Sequence, residues 1–276
     1  MAALWKNRLV GELCAEFAGT MVLILFGVGV VAQVVAGGNG DANAIHWAWG
    51  FGVTFGVYVA ARLSGAHLNP AVTITLAVFR GFEWRKVLPY SLAQTAGAFV
   101  AALLVRWNYS EVLAKFDPSH GYKSQGIFAT QPGVSLHMAV VDEVIGSAIL
   151  LFGIFAIVDA RNTSPLANIG PVVTGFLVVA IGMAWGVNSG YAINPARDFG
   201  PRLAESITGF SHAWTSADGT VYFWVPIVAP VVGGLIGGGL YDLLVGKFLP
   251  IPDEEEEPGR GTPDRDTVEL PASATV

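Results

Sequence analysis

Charge is what this chain has least of. Asp, Glu, Lys and Arg make up 13% of the 276 residues against 53% hydrophobic ones, and the mean hydropathy is +0.55. A soluble domain carries about twice that share of charge to cover its surface, so the chain belongs in a bilayer. Cysteine is nearly absent. Cys14 alone excludes an intramolecular disulfide and a thiolate metal cage, and inside an apolar run it reads as a packing residue. Also missing are a glycine-rich phosphate cradle, a Cys/His ligand spacing and a basic nucleic-acid patch. His46, His67, His120, His137 and His212 are scattered. These absences argue against a cofactor, a metal, a nucleic-acid partner and an enzymatic role.

Apolar runs long enough to span cover approximately residues 9–36, 44–63, 87–105, 138–158, 169–187 and 223–245, which predicts an all-α membrane protein with six transmembrane helices. The first run carries Glu12 and Glu16 and has no small-residue cleavage pattern, so it reads as a retained span and not as a secretory signal. Lys6, Arg8, Arg80, Arg85, Lys86, Arg161 and Lys247 fall on one side and Lys115 and Lys123 on the other; the excess places both termini in the cytoplasm. The segment 107–135, with Pro118, Gly121, Gly126 and Pro132, reads as a long outer loop. The net charge of −6 comes largely from the acidic run at 253–257, which opens a polar tail (249–276) with nothing to bury, a solvated and disordered extension of a channel domain at 1–248.

Asn-Pro-Ala occurs twice, as Asn69-Pro70-Ala71 and Asn194-Pro195-Ala196, each breaking an apolar stretch at a matching place. Glu16 precedes the first Asn by 53 residues and Glu143 precedes the second by 51. The chain is thus an internal repeat, about 8–108 and 136–247, of three spans plus one broken loop. An odd number of spans per half inverts the second copy, so the two loops enter the membrane from opposite faces and meet. In each, Asn is placed as a helix N-cap and Pro as the first helical residue, and the runs 71–79 and 196–204 are too short to span. They read as re-entrant half-helices. Backbone of this kind survives at bilayer depth only where it lines a cavity. The carbonyls of Gly65, Ala66 and His67, and of Gly190, Tyr191 and Ala192, cannot join a helix and are expected to face the lumen.

The strings from Ser64 to Thr73 and from Asn194 to Arg202 resemble the aquaporin family, and within it the glycerol-conducting aquaglyceroporins or glycerol facilitators, over roughly residues 8–247. The resemblance implies an aquaporin-like fold and passive diffusion of glycerol and similar small neutral solutes, with some water, through a homotetramer in a lipid membrane, the bacterial inner membrane being the expected site. It implies a selectivity filter of Trp49, Gly182, Tyr191 and Arg197. Trp49 and Tyr191 would offer ring surface to the carbon edge of a polyol, Arg197 hydrogen bonds to its hydroxyls, and Gly182 the width. Each has a plainer alternative, an interfacial anchor for Trp49, helix packing for Gly182 and loop filling for Tyr191, whereas a guanidinium at membrane depth calls for a cavity role. Tyr191 departs from the usual Phe of bacterial facilitators. The resemblance also makes Glu16 and Glu143 supports of the loops, leaving Glu12 and Asp142 without a comparable role. Tyr109, Asp198, Arg202, Pro226 and Ile227 fall on the polyol side of the family.

Three other readings remain open on sequence: a water, urea, peroxide or metalloid-acid channel with little glycerol flux, a secondary transporter built on the same inverted plan, and a closed-pore structural protein. A tail with nothing to bury has a direct consequence. Truncation after Pro250 is expected to leave solute flux per folded protein unchanged in proteoliposomes; loss of most conductance at unchanged level and oligomer size would make the tail a regulator.

Overall fold

The computed structural model describes residues 8–210 and 212–250. The acidic run at 253–257, the rest of the tail from 251 on, and Lys6 lie outside the described residues. Six helices are long and apolar enough to cross a membrane: α1 (Arg8–Val31), prolonged by a wider π turn (Ala32–Ala36), α2 (Ala42–Ser64), α4 (Trp84–Asn108), α7 (Leu136–Val158), α8 (Gly170–Ser189) and α10 (Val225–Leu244). Between them lie α3 (Pro70–Phe79), α5 (Ser110–Phe116), α6 (Tyr122–Phe128) and α9 (Pro195–Ile207).

The short helices α3 and α9 start where the sequence places them. Asn69 Oδ1 accepts from the Ala71 N–H at 2.8 Å and Asn194 Oδ1 from Ala196 N–H at 3.0 Å, and a proline fills the first helical position of each, where no N–H is needed. The spans before them stop at Gly65 (φ +86°) and Gly190 (φ +82°), left-handed positions that glycine adopts without steric cost.

The halves pack by one plan. In the first, α1 lies against α2 and α4; in the second, α7 lies against α8 and α10; α2 meets α8 across the junction. The half-helices bridge the two halves, α3 packing on α10 and α4, and α9 on α4 and α10. With no hydrophobic drive between helices in lipid, association rests on close van der Waals approach, which small residues permit. A Cβ on Gly97 of α4 would stand 2.2 Å from the Phe17 carbonyl of α1, and one on Gly237 of α10 would stand 2.0 Å from that of Ala148 in α7. At the junction, Gly50 and Gly175 each back onto the other's carbonyl, 2.7 and 2.6 Å from the built Cβ.

Two expectations are corrected here. The segment 107–135 is not simply loop, since it continues α4 to Asn108 and holds α5 and α6. Those turns form because Leu113, Ile127 and Phe128 have a core to enter, each at most 4% exposed, and because Asp117 accepts from Ser119, Ser124 and the Gly121 N–H. These bonds, the Ser119 hydroxyl first, hold the Asp117 carboxyl down at about 2. Cys14 is exposed on the outer face of α1 and is not a packing residue.

Glycines in close approach and glycines in open space give opposite expectations. Gly97→Ala and Gly237→Ala should each cost about 1–3 kcal/mol through overpacking, read as a lower melting point in detergent. Gly11→Ala, with nothing within 4 Å of its built Cβ, should hold or raise it.

Candidate functional site

Each re-entrant loop hangs on one buried carboxylate. Glu16, fully buried on α1, accepts from the Ser64 hydroxyl at 2.6 Å and the His67 N–H at 2.9 Å through Oε1, and from the Leu68 N–H and the Gln94 side-chain amide at 2.7 Å each through Oε2. Glu143, fully buried on α7, accepts from the Ser189 hydroxyl and the N–H groups of Ala192 and Ile193, all at 2.7 Å. The loop backbones repeat as well. Ala66 and Leu68 sit at φ +54° and +53°, Tyr191 and Ile193 at +39° and +42°. Non-glycine residues rarely adopt this region, at a cost of order 1 kcal/mol or more each. The carboxylates hold the alternation by bonding the N–H groups at and between those positions.

Sequence reasoning missed three parts of this frame. Ser64 and Ser189 each stand five residues before an Asn-Pro-Ala, a Ser-Gly repeat visible in the sequence. Asp142, given no role beforehand, is 3% exposed; it accepts from the Asn188 amide at 3.2 Å and lies 2.6 Å from the Ser189 hydroxyl oxygen, for whose single hydrogen it competes with Glu143. Glu12, likewise given none, is 3% exposed and ties α1 to α4 by accepting from Lys86 Nζ at 2.9 Å and the Tyr90 hydroxyl at 3.0 Å.

The two loops meet tip to tip. Asn69 Nδ2 donates to the Ile193 carbonyl and Asn194 Nδ2 to that of Leu68, both at 2.8 Å, so each amide keeps a second hydrogen with no protein acceptor among the described residues. The meeting point lies beside a cavity of about 340 Å³. The loops and half-helices contribute Asn69, Asn194 and Arg197, the loop residues Gly65, Ala66, His67, Tyr191 and Ala192, and the apolar Leu68, Val72, Leu76 and Ile193. The spans contribute Leu23, Val53, Val57, Leu150, Ile154, Val158 and Val178, with Thr174. Gly190 is not among the lining residues; its N–H closes the last turn of α8 on the Gly186 carbonyl.

Toward the start of α2 the cavity is bounded by Trp49, Tyr191 and Arg197. The Arg197 guanidinium carbon lies 4.1 Å from the centre of a Trp49 ring, and its Nη1 donates to the Phe128 carbonyl at 3.2 Å. Gly182 is buried behind this ring of groups and does not line the cavity. The width it leaves is already filled, because a Cβ there would stand 2.8 Å from Tyr191 Cζ and 2.7 Å from His46 Nδ1. The Tyr191 hydroxyl turns the same way and is hydrogen-bonded to His46 Nδ1 at 3.1 Å.

Asp198 and Arg202 stay off the cavity. Both are fully buried and ion-paired; Asp198 accepts from the Thr130 N–H at 2.8 Å and its hydroxyl at 2.6 Å, while Arg202 donates to the Ala213 carbonyl at 2.7 Å and the Thr130 carbonyl at 2.5 Å. They pin the strand of chain after α6 that presents Phe128 to Arg197. Tyr109 caps the end of α4, and Pro226 and Ile227 lie in the first turn of α10, away from the cavity.

Three comparisons with known proteins agree. The family described as "Major intrinsic protein" matches residues 3–241. Aquaglyceroporin-9 of Botryotinia fuckeliana (strain B05.10) is 44% identical over 255 residues, covering 88% of this chain but 56% of the relative, so the chain spans little more than half of that protein's length. The glycerol uptake facilitator protein of Pseudomonas aeruginosa is 42% identical over 254 residues, covering 88% of this chain and 91% of the relative. Among solved structures, the X-ray structure of the aquaglyceroporin from Plasmodium falciparum superposes with a TM-score of 0.80 at 34% identity, covering 87% of this chain and 98% of that one.

Glu143→Ala strips two loop N–H groups of their acceptor at membrane depth. Each unsatisfied donor costs about 1–3 kcal/mol, so the variant should lose at least about 2 kcal/mol in detergent unfolding, with Glu16→Ala behaving alike. Exposed Glu111→Ala should stay within about 0.5 kcal/mol. Equal melting of all three would remove the carboxylates from the loop frame.

Proposed function

The chain belongs to the major intrinsic protein family, and we propose that it is a multi-pass membrane channel for the passive diffusion of glycerol and similar small neutral polyols, with some water. The observation that carries this reading is the cavity at the meeting of the loops, lined by two amides and a guanidinium together with apolar side chains of the spans. A polyol has a carbon edge and a hydroxyl edge, and the apolar span residues and the amides and guanidinium in the lining suit the two. The names of the fungal and bacterial relatives support the same substrate class.

Conduction follows from the charge distribution. The N-termini of α3 and α9 point partial positive charge at the centre, and the free hydrogens of Asn69 and Asn194 donate to a passing oxygen. An oxygen held this way turns its own hydrogens outward, which breaks a continuous proton file, and cations are repelled at the same place. The Asn-Pro-Ala pair thus serves as the central barrier to ions, and the backbone carbonyls near it as acceptors along the path. Trp49, Tyr191 and Arg197 act as the constriction, with Gly182 seating the Tyr191 ring. A carrier would need a titratable or ion-binding group at the centre; amides stand there, and Glu16 and Glu143 are engaged by the loops. The channel unit is assigned to 1–248, working as a homotetramer in the inner membrane with both termini cytoplasmic.

Purified protein in liposomes should pass glycerol down its gradient with no proton or sodium coupling. Glycerol-driven currents, or uptake abolished by a protonophore, would replace the channel with a carrier. The size term is isolated at Gly182, where any side chain displaces the Tyr191 ring toward the passage. Gly182→His should cut the ratio of glycerol to water permeability by roughly a hundredfold, the equivalent of about 3 kcal/mol; an unchanged ratio would detach Tyr191 and Gly182 from the constriction.

A further inference from the structure

Tyr191 lines the cavity, and its hydroxyl meets His46, which does not. The hydroxyl lies 3.1 Å from His46 Nδ1, with the two rings 5.5 Å apart. The space is shaped for the pair. Gly182 and Gly186, one turn apart on α8, leave room that a Cβ would close, at 2.7 and 3.1 Å from the imidazole and 2.8 and 3.3 Å from the phenol ring. His46 also lies one turn before Trp49 on α2, so the two share a helix face. Trp49 supports Arg197 by its ring face, and His46 engages Tyr191. One face of α2 therefore addresses both loop residues of the constriction.

We propose that His46 is a specificity-determining, positioning residue of this channel, acting through Tyr191. It bonds the hydroxyl on the wall side and keeps the phenol ring seated over Gly182. The passage then meets an apolar ring face, which suits the carbon edge of a polyol, and the aperture stays as wide as Gly182 and Gly186 allow. With the imidazole removed, the buried hydroxyl lacks a partner, and its nearest alternative is a lumen oxygen. The ring follows it inward, the passage narrows, and the face presented to carbon becomes polar. Water tolerates this change and glycerol does not. The inference rests on the channel reading above and adds to it the residue that fixes the filter's width from behind.

The test is a double-mutant cycle with rescue, on full-length protein reconstituted in liposomes and normalised to monodisperse protein. His46→Ala should lower the ratio of glycerol to water permeability roughly fivefold, about the rate equivalent of one ordinary hydrogen bond. His46→Asn places an amide near Nδ1, able to donate to or accept from the hydroxyl, and should restore the ratio to within about twofold of wild type. In a Tyr191→Phe background, His46→Ala should move the ratio less than about twofold. The near-ultraviolet tyrosine difference signal, wild type minus Tyr191→Phe, reads the hydroxyl's bond without flux; it should shift in His46→Ala and return in His46→Asn. An unmoved ratio and signal in a conducting His46→Ala protein, or the same loss in the Tyr191→Phe background, would overturn the role of His46. Wild-type protein that conducts water but no glycerol, with the signal behaving as expected, would overturn the glycerol reading and leave the His46 and Tyr191 contact standing.

Discussion

A backbone that leaves the helix inside a bilayer must find its hydrogen-bond partners within the protein, because lipid supplies none. Here that requirement is met by Glu16 and Glu143. Each is fully buried, each accepts from two consecutive loop N–H groups and is hydrogen-bonded to the serine of a Ser-Gly helix end, and each such bond contributes about 0.5–1.5 kcal/mol net. Summed over a loop, these bonds are of the same size as the cost of the left-handed non-glycine positions at Ala66, Leu68, Tyr191 and Ile193, of order 1 kcal/mol or more apiece. The loop backbone that lines the cavity at Ala66, His67, Tyr191 and Ala192 is held in place by these bonds.

The half-helices, unlike the loops, pack across both halves. A loop is held from behind by its own half, while its half-helix packs on the last span of the other as well as of its own, α3 on α10 and α4, and α9 on α4 and α10, and the glycines that let helices approach carbonyl to Cα make such crossings tight. Placement of the cavity is then over-determined. The carboxylate fixes a loop in its own half, the crossing packs the adjoining helix on the other half, and the Asn69 and Asn194 amides bond the two loop tips to one another.

How much of this the sequence discloses depends on whether a signal is local. The N-caps at Asn69 and Asn194 and the prolines after them are read within a few residues, so the starts of α3 and α9 are found; the end of α9, at Ile207 instead of 204, is set by packing and is missed. Six spans follow from hydropathy. The partners of the loops do not, since Asp142 meets Ser189 across 47 residues and His46 meets Tyr191 across 145, and nothing near either residue marks the pairing. His46 in particular reads as one scattered histidine until the fold brings it against Tyr191. Gly182 shows a subtler limit: family resemblance places it at the constriction, but only coordinates show that its vacant volume is occupied by a phenol ring and an imidazole.

The centre of the cavity also shows why an amide stands where a carboxylate would have served as a cap. Asp caps a helix as well as Asn does, and at the N-terminus of a half-helix its charge would be favoured by the dipole. An ionised Asp has no hydrogen to give, however. Asn69 uses Oδ1 for its own helix, one N–H for the facing loop, and has one N–H left over for a solute; Asn194 does the same. Replacing either by a carboxylate would keep the cap, turn the cross-loop donor into an acceptor facing a carbonyl, and place a negative charge where the half-helix ends hold cations off. The joining of the two loops and, on the proposed function, the discrimination against ions therefore rest on the same two side chains.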